Sequence, residues 1–257
     1  QIIMTSISEK AAILHRSART QQPTAQFSTT EEYDLESAYK VQHELIKHRI
    51  DEGHEIVGVK MGFTSHAKME QMGVNDMIIG QLTADMQLDA STPLIKSECC
   101  HPRAEPEIAF RLSKDIEGVL DAQSVLDYVD GVASAIEVID SRYENFKFSL
   151  EDVVADNCSS CAFVVGSWCE VPLGLNGLDM VMNFDGVIEA EGSSDAILDN
   201  PFEALAAATR LAHQYGIALK KGMVVLAGAS TAASFIKQTK EVSLEIDGLG
   251  RAAFATF

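Results

Sequence analysis

The sequence is short of basic residues and has no long apolar run. Lysine and arginine number 20 against 38 aspartates and glutamates, a formal net charge of −18. Nucleic acids and anionic membranes are bound through a basic face, so this balance argues against either partner. Its plain meaning is a well-solvated surface. No apolar stretch approaches the roughly 20 residues of a membrane span. The opening QIIMTSISEKAAILHRSART lacks a continuous apolar segment and a cleavage-site pattern, so no secretion signal is expected. Gln1 to Ile3 read as a cloning remnant ahead of a native Met4. The five cysteines are an odd number, which without a signal suggests free thiols in a reducing cytoplasm. GxGxxG, P-loop, HxxxH and HExxH patterns are all missing, so nucleotide and zinc-protease readings have no local support.

What is present is an ordinary globular composition: 257 residues, 46% apolar and 23% charged, enough for one large domain or two small ones. Helices are expected over residues 7 to 20 and from Leu35 to Glu52. In the second, Leu35, Ala38, Val41 and Leu45 form one stripe, Asp34 is the N-cap and Gly53 the stop. EIVGVKMGF, residues 55 to 63, reads as a strand, and Ser65 caps a short helix that ends at Gly73. Strands are then expected near 104–112, 132–140, 161–166, 178–184, 223–228 and 241–247, with Pro106 marking an edge or bulged strand. Helices are expected at 121–129, after Ser149, and from Asn200-Pro201 to Gly216; NFDG offers a hairpin turn. Helices in front and strands behind indicate α+β.

Glu105 and Glu107 in HPRAEPEIAF share one face of a strand, because alternate residues point the same way. Glu137 lies in another apolar strand, SAIEVID. Three carboxylates suit a hard divalent ion such as Mg²⁺ or Mn²⁺. The alternative is a half-exposed sheet on which these acids pair with Arg103 or Arg111. Lys60, in VGVKMG, either snorkels to water or meets a substrate carboxylate. In the polar stretch from Asp140 to Cys161, Arg142 and Lys147 balance acids or grip an anion, and Asp156-Asn157 is a candidate Asx turn. Cys158 and Cys161 form a C-x-x-C pair, but four zinc ligands at suitable spacing are lacking.

VGVKMGFTSHAKMEQMGV, HPRAEPEIAF, IEVIDSRYENFKF and VVADN, in this order, resemble the hydratase/decarboxylase branch of the fumarylacetoacetate hydrolase superfamily. The resemblance runs from about Asp34 through GIALKKGMVVLAGAST to the closing GLGRAAFATF. It implies a mixed β-roll with N-terminal and flanking helices, residues 1–80 forming a helical region packed on a catalytic roll of 81–257. It implies Mg²⁺ or Mn²⁺ held by Glu105, Glu107 and Glu137, and an enzyme of meta-cleavage aromatic catabolism. Two activities share the pattern: hydration of 2-hydroxypenta-2,4-dienoate, and decarboxylation of 2-oxo-3-hexenedioate to that dienoate. KMGFTSHAKMEQMGV, SRYENFKF and STAASF look like the decarboxylating members, and Ile78 stands where the hydratases carry an Asp; HPRAEPEIAF is nearer the hydratase form. Lys60, Ile78, Leu82 and Ser159 are the expected contacts for a small dianionic 2-oxo acid. The resemblance also implies a homo-oligomer and an association with the pathway hydratase. Two other readings stay open: a C–C hydrolase of acylpyruvates, whose His/Glu lid pair is not evident, and a silent partner subunit that need not bind metal.

Overall fold

The computed structural model describes residues 4–257, so the reading of Gln1 to Ile3 as a remnant lies outside the described residues. Five α-helices form where the caps specify them. Helix α1 (Ile7–Thr20) opens on a reciprocal capping box between Ser6 and Glu9. Helix α2 (Leu35–Asp51) is capped by Asp34 and buries the expected stripe, Ala38, Val41 and Leu45, together with Tyr39, Gln42 and Ile46. The short α3 (His66–Met72) runs from the Ser65 cap to a left-handed Gly73 and buries none of its residues. Helix α4 (Leu150–Ala155) has a second capping box, Ser149 with Asp152. Helix α5 (Pro201–Tyr215) begins after the Asn200 cap and stops at left-handed Gly216.

Among the described residues eleven strands make two sheets. The larger contains β1 (Ile56–Gly62), β2 (Ile78–Thr83), β3 (Arg103–Leu112), β4 (Val129–Ile139), β5 (Ser160–Val165), β8 (Val224–Ala229) and the two-residue β9 (Ser234–Phe235). Its order is β2-β1-β8-β3-β4-β5, with β9 added to β3. Only β1 and β8 run parallel; the other neighbours are antiparallel, so the sheet is mixed. The second sheet has the order β11-β10-β6-β7, from β6 (Asp179–Phe184), β7 (Val187–Ser193), β10 (Glu241–Ile246) and β11 (Gly250–Ala255). Asp185 and Gly186, both at positive φ, make the expected Asp-Gly hairpin between β6 and β7. The edges of the large sheet curl toward each other: Leu88, just past β2, donates its N–H to Phe163 of β5 at 2.7 Å. That closure makes a roll. Leu82, Met86, Ala109, Ala135, Phe163 and Leu226 pack together as a small apolar cluster, while the main core lies between the sheets and the helices.

Two expectations change, and a third is decided between its alternatives. Pro106 marks a bulged strand and not an edge, because β3 sits between β8 and β4 and shifts register against β8 between Glu107 and Ala109. Its carbonyl accepts from Ser230, so its donorless nitrogen faces the gap where β8 ends and β9 begins, beside a register shift. Residues 121–129 form only a 3₁₀ turn, Ser124–Tyr128, after the Asp121 carboxylate takes the N–H groups of Gln123 and Ser124, and the chain passes at Val129 directly into β4. A division at residue 80 falls inside β2, and β1 is bonded to β8, so the two strands that precede β3 are built into the roll itself.

The segment that enters β5 carries the longest run of positive-φ residues among the described residues. Asn157, Cys158 and Ser159 are three successive residues at positive φ, 51°, 54° and 59°. Each such residue costs about 1–2 kcal/mol relative to ordinary backbone. Arg142 holds the turn. Its Nε donates to Asp156 Oδ1 at 2.6 Å, Nη2 to the Asp156 carbonyl at 2.8 Å and Nη1 to the Ser160 carbonyl at 2.9 Å. Asp156 therefore turns back to Arg142 and does not form the expected Asx turn. Asn157 makes the second anchor, exchanging two 2.8 Å hydrogen bonds with the backbone of Gln81 in β2. Removing one partner of a buried ion pair leaves the other uncompensated, so Arg142→Met should cost about 3–5 kcal/mol in urea unfolding. A loss below about 1 kcal/mol would show that the turn holds itself.

Candidate metal centre

Cross-strand pairing brings the three acids together. Glu105 lies directly opposite Glu137, and Glu107 follows on the same face of β3. Glu107 and Glu137 are fully buried and Glu105 half-buried, so pairing with Arg103 or Arg111 in solvent does not occur; Arg111 bonds Asp130 instead. One carboxylate oxygen from each of the three glutamates lies within 4.8 Å of the others. Oxygens around a six-coordinate ion at about 2.1 Å stand about 3 to 4 Å apart, so modest side-chain adjustment suffices.

Lys60 joins this face from β1. It is 3% exposed, so it does not snorkel. Its Nζ donates to the Cys158 carbonyl at 2.7 Å and lies 3.1 Å from Glu137 Oε2. The positive-φ turn thus aims a carbonyl at Lys60. Gly80, paired with Lys60 across β1 and β2, makes room: a Cβ there would sit 2.8 Å from the Asn157 carbonyl and 3.0 Å from Lys60 Cδ. Gly228 supplies the one backbone donor to the acids, its N–H reaching Glu107 Oε2 at 3.1 Å. It lies at φ +107°, and a Cβ would overlap Thr64.

One lysine faces three carboxyl groups, and the charges do not balance. Burial raises the pKa of Glu105 to about 7, helped by the charge of Glu137 and opposed by Lys60. Burial and then the neighbouring acids push Glu107 well above its ordinary value, and burial raises Glu137 against the pull of Lys60. For Lys60, burial disfavours the charge, but the attraction of Glu137, with Glu105 and Glu107 behind it, prevails and raises its pKa. Glu107 Oε1 and Glu137 Oε1 are buried with no hydrogen-bond partner among the described residues. Buried oxygens of that kind are costly. An oxygen-only donor set with unmet acceptors fits a hard divalent cation, with the remaining positions left to water or ligand.

Comparison with known proteins agrees with this geometry. A model of the fumarylacetoacetate (FAA) hydrolase C-terminal family matches residues 55–255. The chain belongs to the fumarylacetoacetate hydrolase family. A 4-oxalocrotonate decarboxylase from a Pseudomonas species is 46% identical over 97% of this chain and 98% of its own. A 2-hydroxyhexa-2,4-dienoate hydratase from Comamonas testosteroni is 32% identical, covering 91% of this chain and 90% of its own. Among solved structures, 4-oxalocrotonate decarboxylase from Pseudomonas putida G7, complexed with magnesium and adipate, superposes with a TM-score of 0.91 at 30% identity, over 98% of this chain and 97% of that one. The fold is therefore the β-roll of this family.

The other expected site residues fall near the same face. Ile78 and Leu82 are 2% and 1% exposed in β2, and the pairs Lys60–Gly80, Gly62–Ile78 and Gly58–Leu82 put both beside Lys60. Ser159 is buried in the strained turn, and its Oγ has no partner among the described residues. Lys147 is exposed and Arg142 is spent on Asp156, so neither grips an anion. The C-x-x-C sulfurs part company: Cys158 Sγ lies 3.9 Å from Gln42, and Cys161 Sγ 3.8 Å from Cys99. His101 is bonded to the Ser141 carbonyl and His66 to exposed Asp199.

A carboxyl whose folded pKa exceeds its ordinary value of 4.5 makes the metal-free fold less stable as pH rises through the interval between the two. For Glu105 that interval ends near pH 7. The gain in melting temperature on adding Mg²⁺ should therefore grow between about pH 5.5 and pH 8 as proton competition fades. Glu107→Gln should abolish the gain and weaken Mg²⁺ binding more than about 100-fold, read by calorimetry. An equal thermal gain in wild type and variant would place any ion elsewhere.

Proposed function

We propose that this chain catalyses the metal-dependent decarboxylation of 2-oxo-3-hexenedioate to 2-hydroxypenta-2,4-dienoate and CO₂, a step of meta-cleavage aromatic catabolism. The observation that carries the reading is a triad of carboxylates with unmet charge, two fully buried and one half-buried, set beside one buried lysine. The 46% identity to a 4-oxalocrotonate decarboxylase supports it over the hydratase alternative, whose named relatives match at 30–34%.

Glu105, Glu107 and Glu137 would hold Mg²⁺ or Mn²⁺, which as a Lewis acid polarises the oxygens of a 2-oxo acid and offsets their charge. The protein's own residues do the rest. When the C5–C6 bond breaks, its electron pair moves through the alkene and charge collects on the C2 oxygen. Lys60 stabilises that charge; its raised pKa makes it a fixed cation that hydrogen-bonds to the oxygen and neither a general base nor the source of the product's proton, which comes from solvent. Ile78 and Leu82, beside Lys60, keep water from the developing dienolate. An acid at position 78 would handle protons on water, as hydration needs, and isoleucine cannot. Ser159 Oγ, lacking another partner, donates to the C1 carboxylate.

Among the described residues no helix is long and apolar enough to cross a membrane. A cytoplasmic setting suits five cysteines that are all free thiols. By family analogy the protein assembles as a homo-oligomer and associates with the hydratase that uses its product. Supplied with 2-oxo-3-hexenedioate, the protein should release CO₂ only when a divalent ion is present, and should leave 2-hydroxypenta-2,4-dienoate unhydrated. Lys60→Met should lower kcat by about 10²- to 10³-fold without weakening Mg²⁺ binding. Full turnover in EDTA, or water addition to the dienoate without decarboxylation, would overturn the assignment.

A further inference from the structure

Along β3 the shared face opens toward solvent. Glu107 is fully buried, Glu105 half-buried, and Arg103, the next residue on that face, is half-buried at the mouth. The Arg103 guanidinium is clamped between two aromatic rings, 3.8 Å from the centroid of Phe146 and 4.0 Å from that of Phe235. Phe235 belongs to β9 and pairs directly with Arg103; Phe146 comes from the turn before α4. Rings on both faces fix the plane of a guanidinium and leave its edge N–H groups to donate. Arg103 Nε is buried and has no hydrogen-bond partner among the described residues. The molecule thus holds a preorientated, unsatisfied cation at the open end of its acid cluster.

We infer that Arg103 is the specificity-determining residue for the distal carboxylate of a dianionic 2-oxo acid, with Phe146 and Phe235 as its positioning residues. The inference rests on the 2-oxo-acid reading of the acid cluster. Alternate residues on a strand lie about 6.7 Å apart. The two carboxyl carbons of an extended six-carbon diacid are separated by roughly 6 Å, five C–C bonds of about 1.5 Å in a zigzag. A ligand anchored by its keto-acid end at the glutamates therefore reaches Arg103 with the other end. The placement also answers a problem of charge. A dianion must approach a protein of net charge −18, and screening confines the background field to about 8 Å, so a cation at the mouth governs the last step of capture. The contact belongs to binding and not to bond breaking. The distal carboxylate loses its charge as CO₂ departs, so the attraction to Arg103 weakens toward the transition state and contributes nothing to kcat.

The test compares two ligands of the Mg²⁺-loaded protein by calorimetry: 2-oxoadipate, a dianion, and 2-oxohexanoate, the same chain without the distal carboxylate. Wild type should prefer 2-oxoadipate at least about tenfold. Arg103→Gln should weaken 2-oxoadipate about 10- to 100-fold, leave 2-oxohexanoate within about twofold and leave Mg²⁺ affinity unchanged; Arg103→Lys should recover part of the loss. In turnover, Arg103→Gln should raise KM by a similar factor with kcat unchanged or higher. The inference is overturned if wild type does not distinguish the two ligands, if the variant weakens both alike, or if kcat falls at constant KM. It is also overturned if the preference survives Arg103→Gln and disappears in Lys68→Met, a cation that with Lys60 and Arg103 bears on the charge of Glu105. A wild type that prefers the dianion through Arg103 but releases no CO₂ supports the inference and refutes the decarboxylase reading.

Discussion

Three carboxyl groups, two of them fully buried, gathered against one lysine set the terms for this structure. Glu105, Glu107 and Glu137 are pressed together by strand register, and Lys60 neutralises only one of them. Water cannot reach Glu107 or Glu137 to solvate the remainder. In the absence of a cation the group holds protons that ordinary carboxyls would have lost at neutral pH. Such a cluster is a standing cost to the fold unless a divalent ion occupies it. The surrounding architecture supports that arrangement and does not relieve it.

Support comes from outside the acids. The roll closes between β2 and β5, and at that seam Arg142 and Asn157 hold three successive left-handed residues. The turn presents the Cys158 carbonyl to Lys60, and Gly80 leaves the space in which they meet. On the other side the Gly228 N–H fixes one oxygen of Glu107, leaving the other for a ligand. Strain in the turn and precision at Lys60 are therefore one feature. The buried Arg142–Asp156 pair connects them across 14 residues of sequence.

The parts legible in the sequence are those set by local chemistry. Caps at Asp34, Ser65, Ser149 and Asn200 announce their helices, and each side chain accepts a backbone N–H of the first turn. The E-x-E spacing puts Glu105 and Glu107 on one face of a strand, but it leaves open whether that face meets solvent or a metal; the resemblance to the family, and not the period, supplies the metal reading and Glu137. Strands β2, β7 and β11 give weak signals for different reasons. The first is six wholly buried residues with no alternation, β7 is largely exposed, and β11 is rich in alanine, a poor strand former. Pro106 signals the irregularity of β3 but not its place in the sheet, because a proline is excluded only where its nitrogen must donate, and here it faces a gap between strands. Arg103 gives no local signal at all. Its clamp is built from Phe146 and Phe235, 43 and 132 residues away in sequence (146 − 103 and 235 − 103), and only the fold brings them together.

The central claim concerns where a divalent ion sits. Anomalous diffraction from crystals grown with Mn²⁺ tests it most directly. The account predicts one strong peak per chain, within about 2.5 Å of an oxygen from each of Glu105, Glu107 and Glu137, with Lys60 still bonded to the Cys158 carbonyl. A peak at any other cluster of side chains, or none at these three glutamates, would contradict it.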